Sequence, residues 1–234
     1  MSLLIFSFGQ KLIKLIKERD DRMSKYEWQK ADKEIYLPKD QPTILKEISY
    51  NYISISGIGN PNHPDFSKRI QVLYSLSYAI RMSYKGDWKI PGFYMYTVFP
   101  LEGVWTSHSQ DLEAIKAHGL NKDQLAYKIM LRQPDFVDRA VFEKALDIVK
   151  SNDKLLTYID DAVFETINEP RSVQILHNGS YDSEMESFEI LDKYIEDNNL
   201  ERVDPAYHKE IYLRMDKKDS NRNQTTLRFY IKDK

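Results

Sequence analysis

The hexapeptide His208-Lys209-Glu210-Ile211-Tyr212-Leu213 holds the residue types best suited to chemistry in this chain. As a β-strand its two-residue period sends His208, Glu210 and Tyr212 to one face and Lys209, Ile211 and Leu213 to the other. One face is then a carboxylate between two rings. Burying a carboxylate is costly unless it is paired or hydrogen-bonded, so Glu210 in an aromatic cavity would demand a cation, a donor or a proton. That is the chemistry of a site that holds a cation or moves a proton. On a solvated strand face the same three residues would be ordinary cross-strand neighbours, so the surrounding elements decide between the two readings.

The chain supplies rings in quantity. Sixteen Tyr, ten Phe and three Trp among 234 residues offset a modest hydrophobic content of 41% and leave many phenol hydroxyls in search of partners. Lysine and arginine (34) nearly balance aspartate and glutamate (36), so the formal charge of −2 provides no broad basic field for nucleic acid. With no cysteine, disulfides, thiolate nucleophiles and zinc-thiolate sites are excluded, which fits a reducing, cytoplasmic compartment. His63, His108, His118, His177 and His208 lack metal-ligand spacing, and no metal is expected. Gly57-Ile58-Gly59 lacks the third glycine of a dinucleotide fingerprint, and neither a phosphate loop nor a nucleophile elbow occurs, so no cofactor is expected. Chemistry falls to Glu, Asp, His, Tyr or Lys.

The elements that must position these groups follow from patterning. Residues 1–22 form an amphipathic, basic stretch with Lys11, Lys14, Lys17 and Arg19 among apolar residues. Two lysines interrupt any spanning run, so stable membrane insertion is not expected, and no cleavage site follows. It reads either as a surface or packing helix or as a leader upstream of a start at Met23, the second being preferred. Residues 23–234 read as a single domain. After an ordered arm from Tyr26 to Lys39, a strand runs from Ile44 to the turn Gly57-Ile58-Gly59-Asn60-Pro61. Asp65 is placed to cap a helix through Phe66, Ile70, Leu73, Ser77 and Ile80. A long strand region is predicted over Pro91–Trp105, then a short helix around Leu112–Ala117 and a strand over Leu125–Leu131. Asp138 caps a helix through Val141, Phe142, Ala145 and Val149, and residues 155–164 are ambiguous in type. Val173–His177 is a strand, Asn178-Gly179-Ser180 a turn, and Ser183-x-x-Glu186 a capping box opening a helix through Leu191 and Ile195. Strands over Tyr207–Met215 and Thr225–Ile231 close the chain.

Both halves therefore read strand, glycine turn, helix, strand, strand. Repeat one spans about 44–133, a connector 134–169 and repeat two 170–234. The class is α+β: duplicated strand-helix-strand-strand modules in a curved antiparallel sheet, helices on one face and a ligand cleft between the repeats. Aligning Tyr94-Met95-Tyr96 with His208-Lys209-Glu210 puts the Tyr96 phenol opposite the Glu210 carboxylate. Tyr94 and Glu102 share the Tyr96 face if the strand is unbroken, while Pro100 and Gly103 suggest a bulge that leaves Trp105 a candidate. His177, at a strand end, and Tyr181, just past the turn, would sit at the cleft rim. The expected site is Glu210 and Tyr96 with Tyr94, Glu102, Trp105, His177, Tyr181, His208 and Tyr212 around the ligand.

Five segments in order carry a resemblance: Ser56-Gly57-Ile58-Gly59-Asn60-Pro61, Leu73-Tyr74-Ser75-Leu76-Ser77-Tyr78, Pro100-Leu101-Glu102-Gly103-Val104-Trp105, Arg132-Gln133-Pro134-Asp135-Phe136 and His208 to Leu213. From Tyr26 onward the sequence resembles the GyrI-like small-molecule-binding family in its stand-alone branch. The resemblance implies a duplicated fold with a ligand cleft, and Glu210 matches the glutamate that meets lipophilic cations in the drug-sensing domains of multidrug regulators. It further implies a lipophilic, aromatic or cationic ligand. Some stand-alone members hydrolyse cyclopropane-bearing DNA-alkylating natural products, which gives a hydrolase expectation beside a plain sequestering module and a protein-interaction, gyrase-inhibitor-like role.

Overall fold

The computed structural model describes residues 25–106, 122–153, 156–216 and 218–234. The expectations for residues 1–22 and for a helix at 112–117 lie outside them. In chain order the elements are β1 (Thr43–Leu45), β2 (Ile48–Ile58), helix α1 (Pro64–Met82), β3 (Leu101–Thr106), β4 (Ala126–Arg132) and helix α2 (Arg139–Asn152). There follow β5 (Val163–Glu169), β6 (Ser172–Asn178), helix α3 (Glu184–Asp197), β7 (Leu200–Arg202), β8 (Tyr207–Arg214) and β9 (Gln224–Asp233). Two single helical turns, Trp28–Ala31 and Lys33–Tyr36, make the N-terminal arm. Among the described residues no helix is long and apolar enough to cross a membrane.

Each helix is cut to one apolar stripe. In α1, Val72, Leu73, Leu76, Ser77 and Ile80 are buried, the spacing of a single core-facing side. Its start departs from the predicted cap: Pro64 takes the first helical position, and His63 caps by accepting the Asp65 N–H at Nδ1. In α2 the expected cap forms, with the Asp138 carboxylate accepting from the Val141 N–H at 2.9 Å. The capping box at Ser183 does not form, because the Ser183 hydroxyl donates to the Ser180 carbonyl at 2.8 Å and caps nothing.

Strand order is β1-β6-β9-β8-β3-β4-β2-β5, antiparallel throughout, with β7 added to β9. The modules β2-α1-β3-β4 and β6-α3-β8-β9 are arranged about a pseudo-dyad between β3 and β8. Two short strands exchange partners across it: β1 precedes β2 but pairs with β6, and β5 precedes β6 but pairs with β2. The sequence reading contained neither β5 nor β7. Short polar strands such as Val163–Glu169, with four of seven positions polar or charged, carry little apolar periodicity.

The sheet curls strongly. Glu169, on the edge strand β5, contacts Lys209 on β8 and Arg228 on β9, although β8 lies four strands away, about 19 Å in a flat sheet at the usual strand spacing. The face carrying Lys209 and Arg228 is therefore the concave one. The helices cover the other face in two cores, one joining α1 and α2 to Ile53, Ile55, Trp105, Ile129 and Leu131, the other joining α3 to Val173, Ile175, Leu227 and Phe229. The N-terminal arm plugs the concave face, where Trp28 and Tyr36 pack with Tyr96, Phe99 and Ile211.

One predicted element changes substantially. The strand region at Pro91–Trp105 is a regular strand only from Leu101 to Thr106. Residues 91–100 are irregular, touching the sheet-like pattern at one bridge, Tyr26 to Tyr96. Gly92 adopts φ +73 and Pro100 offers no N–H, so the segment cannot continue a ladder.

Candidate functional site: Glu210 in an aromatic wall

β8 and β3 lie side by side at the centre of the sheet, so the residues they share sit at the seam between modules. Their register pairs Glu210 with Gly103, His208 with Trp105 and Tyr212 with Leu101. Position 103, and not 96, is the pseudo-symmetric counterpart of Glu210. Paired residues share a face, so Glu210, His208, Tyr212 and Trp105 all point to the helix-bearing side.

The carboxylate is nearly enclosed, with residue exposure of 8%. His208 Nε2 lies 2.8 Å from Glu210 Oε1. On its other side the Tyr212 phenol hydrogen-bonds to Glu210, and the Trp105 indole N–H donates to the Tyr212 oxygen at 2.9 Å. A donor chain thus runs from Trp105 through Tyr212 to Glu210. Burial, then the Glu210 charge, pushes the Tyr212 pKa well above the ordinary phenol value, so this link keeps its proton. Tyr181 packs edge-on against Tyr212 at 6.3 Å. Its pKa is pushed up to about 12 by burial, then by Glu210 and Glu184. Phe188 closes the α3 side against His208 at 5.1 Å, and Phe66 closes the α1 side against Trp105 at 5.5 Å.

Gly103 makes this packing possible. A Cβ there would stand 2.9 Å from the Trp105 indole nitrogen and 3.4 Å from the Tyr212 oxygen. The glycine leaves β3 unbulged, since its register with β4 and β8 runs without a break. An interior strand glycine marks close approach as readily as a bulge, and here it marks close approach.

The structure gathers Glu210, His208, Tyr212, Trp105 and Tyr181 into one wall. His177 stands just behind it. Buried to 5% exposure, it spends one ring nitrogen on α3 and the other on the turn before it: Nδ1 on Ser187 Oγ at 2.9 Å, Nε2 on the Ser180 carbonyl at 3.1 Å. It positions the turn that carries Tyr181.

Three expected residues are elsewhere. Tyr96 is not brought to Glu210: it lies in the irregular segment, packs on Tyr94 and Phe136, and has its backbone carbonyl bound by Arg81 at 2.5 Å. Tyr94 shares that cluster, which belongs to the concave side with Ile211 and Leu213. Glu102 is one residue out of phase with Gly103, so it points into the concave face. There its carboxylate meets Lys209 at 2.6 Å and the phenols of Tyr36 and Tyr52 at 3.2 and 3.4 Å. The sequence reading missed Phe66, Phe188 and Gly103. Phe66 and Phe188 stand 7 and 9 residues after Gly59 and Gly179, so the faint repeat does not align them and gives no signal for the pair.

Among the described residues no three His, Asp or Glu side chains converge to hold a metal ion. No protein-family model matches the chain, and no curated protein does. Solved structures do. A hydrolase from Listeria innocua is similar at 27% identity with a TM-score of 0.80, over 89% of this chain and 100% of that one. A second hydrolase structure from that organism gives 26% and 0.79, and an uncharacterized conserved protein from it gives 27% and 0.80, over the same shares. Two strand-helix-strand-strand modules in a helix-covered half-barrel make this the GyrI-like fold.

Proposed function

We propose that this chain binds flat, lipophilic or cationic aromatic molecules against the Trp105-Tyr212-Tyr181 wall and hydrolyses strained electrophilic ones, with Glu210 as general base. The observation that carries it is a nearly buried carboxylate whose neighbours are rings, a phenol and a histidine. Among the described residues no lysine or arginine pairs with Glu210, whose partners are His208 and Tyr212. Such a carboxylate offers counter-charge to a cation and a lone pair to a water. The similarity to a Listeria hydrolase supports the catalytic half, and a cytoplasmic detoxifying role follows from the reading.

For a cyclopropane conjugated to a carbonyl, Glu210 takes a proton from water as its oxygen bonds to a ring carbon. The ring C–C bond breaks, and its electron pair moves through the conjugated system to the carbonyl oxygen, which takes a hydrogen bond and then a proton. Tyr181, half-exposed and held protonated, is the donor facing Glu210. Water is added across one ring bond, with no covalent enzyme intermediate. General acid-base assistance of this type contributes about 10² to 10⁴ in rate.

The test is hydrolysis of a cyclopropane-bearing alkylator, followed as the water-added product. Glu210→Gln should lose about 10² or more in rate while the parent turns over many equivalents. Equal rates for parent and variant would sink the base assignment. Stoichiometric protection by the parent, without turnover, would make the protein a sequestering module.

A further inference from the structure

The segment Leu73 to Tyr78 belongs to α1, and α1 borders the slot above Glu210. It packs over β4 and β2, while α3 packs over β6 and β9, which leaves β3 and β8 as a floor between the two helices. The helix axes are four strand spacings apart, about 19 Å on a flat sheet. Subtracting one helix diameter of about 10 to 12 Å leaves about 8 Å, room for a single aromatic layer.

Two contacts fix how α1 lies along this floor. Near its start Phe66 packs on Tyr127 at 5.0 Å, and towards its end Ser77 Oγ accepts from Gln133 Nε2 at 3.0 Å. With the residues between spaced evenly at about 1.5 Å each, Ile70 comes level with Ile129, and Tyr74 with Leu131. The ladder runs from Ile129 through Gly103 to Glu210, and from Leu131 through Leu101 to Tyr212. Ser75 and Ala79 face α2 across a cavity shared with Ile148 and Val149. A helix turns about 100° per residue, so the row Phe66, Ile70, Tyr74 lies on the other side, towards α3. Tyr74 is half-buried there, with the exposed Tyr78 ring 6.3 Å away. Its hydroxyl bonds to none of the described residues and is not sealed in the core, unlike that of Tyr96. Burial, then Tyr78, raises its pKa, so it keeps its proton. Tyr181 is in the same condition on the α3 side: 44% exposed, packed on Tyr212, protonated, and without a hydroxyl partner among the described residues. Two available phenols thus border the slot from opposite sides at the level of Tyr212.

We propose that Tyr74 and Tyr181 are paired donors to one oxygen, so that the site selects planar aromatic ketones whose carbonyl is held from both helices while the ring lies on Trp105 and Tyr212. The same pair would stabilise the charge that ring opening places on that oxygen. The proposal rests on the Glu210 reading for the position of the reactive end, but uncharged probes test it apart from Glu210. The full chain and its Tyr74→Phe, Tyr181→Phe, doubly substituted and Glu210→Gln variants are compared by equilibrium dialysis with 9-fluorenone and with fluorene, the same skeleton without the oxygen. The parent should prefer fluorenone about tenfold, as two neutral hydrogen bonds allow. Each single Phe variant should lose about two- to fivefold for fluorenone, the double variant should bind both probes alike, and fluorene should bind every variant as it binds the parent. Equal parent affinities, no binding of either probe, or an unchanged preference in either single Phe variant overturns the pairing. So does an equal loss for fluorene, which would make Tyr74 a packing residue. Glu210→Gln should leave both affinities unchanged. If that variant also hydrolyses at the parent rate while the Phe variants lose fluorenone, the base assignment falls and the phenol pair stands.

Discussion

Lys209 and Glu210 are neighbours in sequence and opposites in use. On the concave face Lys209 is 1% exposed and lies against two carboxylates, Glu102 at 2.6 Å and Glu169. Glu169 also meets Arg228 at 2.8 Å, and Arg228 holds Gln174 Oε1 at 2.8 Å. Two acids and two bases cancel, and the remaining donors and acceptors are satisfied by Tyr52, Tyr36 and backbone carbonyls. One residue along, Glu210 has only neutral donors or a histidine. A buried charge with a fixed counter-ion is architecture, whereas one without it is available to a ligand.

The concave network should therefore fail hardest when cut. Lys209→Met leaves Glu102 and Glu169 facing one cation instead of two, and should cost about 3 to 5 kcal/mol, the range for breaking a buried pair. Chemical denaturation of the purified variant measures it. A loss below about 1 kcal/mol, as for a surface pair, would erase the contrast between the faces. The same network sets the acid limit. Burial alone would raise the Glu169 pKa, but Lys209 and Arg228 prevail and hold it at about 2, below its ordinary 4.5. Glu169 thus binds its proton more weakly when folded, so its contribution is complete above about pH 4.5 and drains away as the pH falls towards 2. Melting temperature against pH should fall through that window, and Lys209→Met should flatten the fall.

The site face should respond next. Gly103→Ala places a methyl group 2.9 Å from the Trp105 indole nitrogen, and Trp105 is too tightly packed by Phe66 and Tyr127 to yield freely. Overpacking of this kind costs about 1 to 3 kcal/mol, and displacing the indole would break its bond to Tyr212. Ligand affinity and turnover should fall with stability. An alanine variant with parent affinity would show that the Trp105-Tyr212-Glu210 chain is not needed.

What the sequence made legible was periodic. The two modules, the helices with a single apolar stripe and the alternation of His208, Glu210 and Tyr212 all repeat at short intervals. The partner of Glu210 was misassigned to Tyr96 because the repeat is faint and a Tyr-rich segment imitates a strand, while the residue that does oppose it, Gly103, has no side chain to advertise itself. Glu102 was drawn towards the site for a related reason: an unbroken strand over 91–105 puts it on the Tyr96 face, whereas residues 91–100 are irregular and Glu102 is one residue out of phase with Gly103, the residue that opposes Glu210. The ionic core joining β5, β8 and β9 was invisible because its members are separated by tens of residues, and charged residues at such separations read as surface.

The smallest effect expected tests the comparison most finely. Tyr212→Phe keeps the ring that packs on Tyr181 but removes one donor to Glu210 and the acceptor of the Trp105 N–H. Losing one net hydrogen bond and stranding an indole N–H should cost about 1 to 2 kcal/mol, well below the cost of Lys209→Met, because no charge loses its counter-ion. Glu210 keeps His208 at 2.8 Å. Cationic aromatic dyes should still bind, since the carboxylate and the ring faces remain, while turnover should fall because the carboxylate is held at one oxygen instead of being fixed between two donors. Dye titration and product formation on the same preparation separate the two. If dye affinity falls as far as turnover, the Tyr212 hydroxyl, and not only its ring, holds the ligand and the donor chain is not what distinguishes this face.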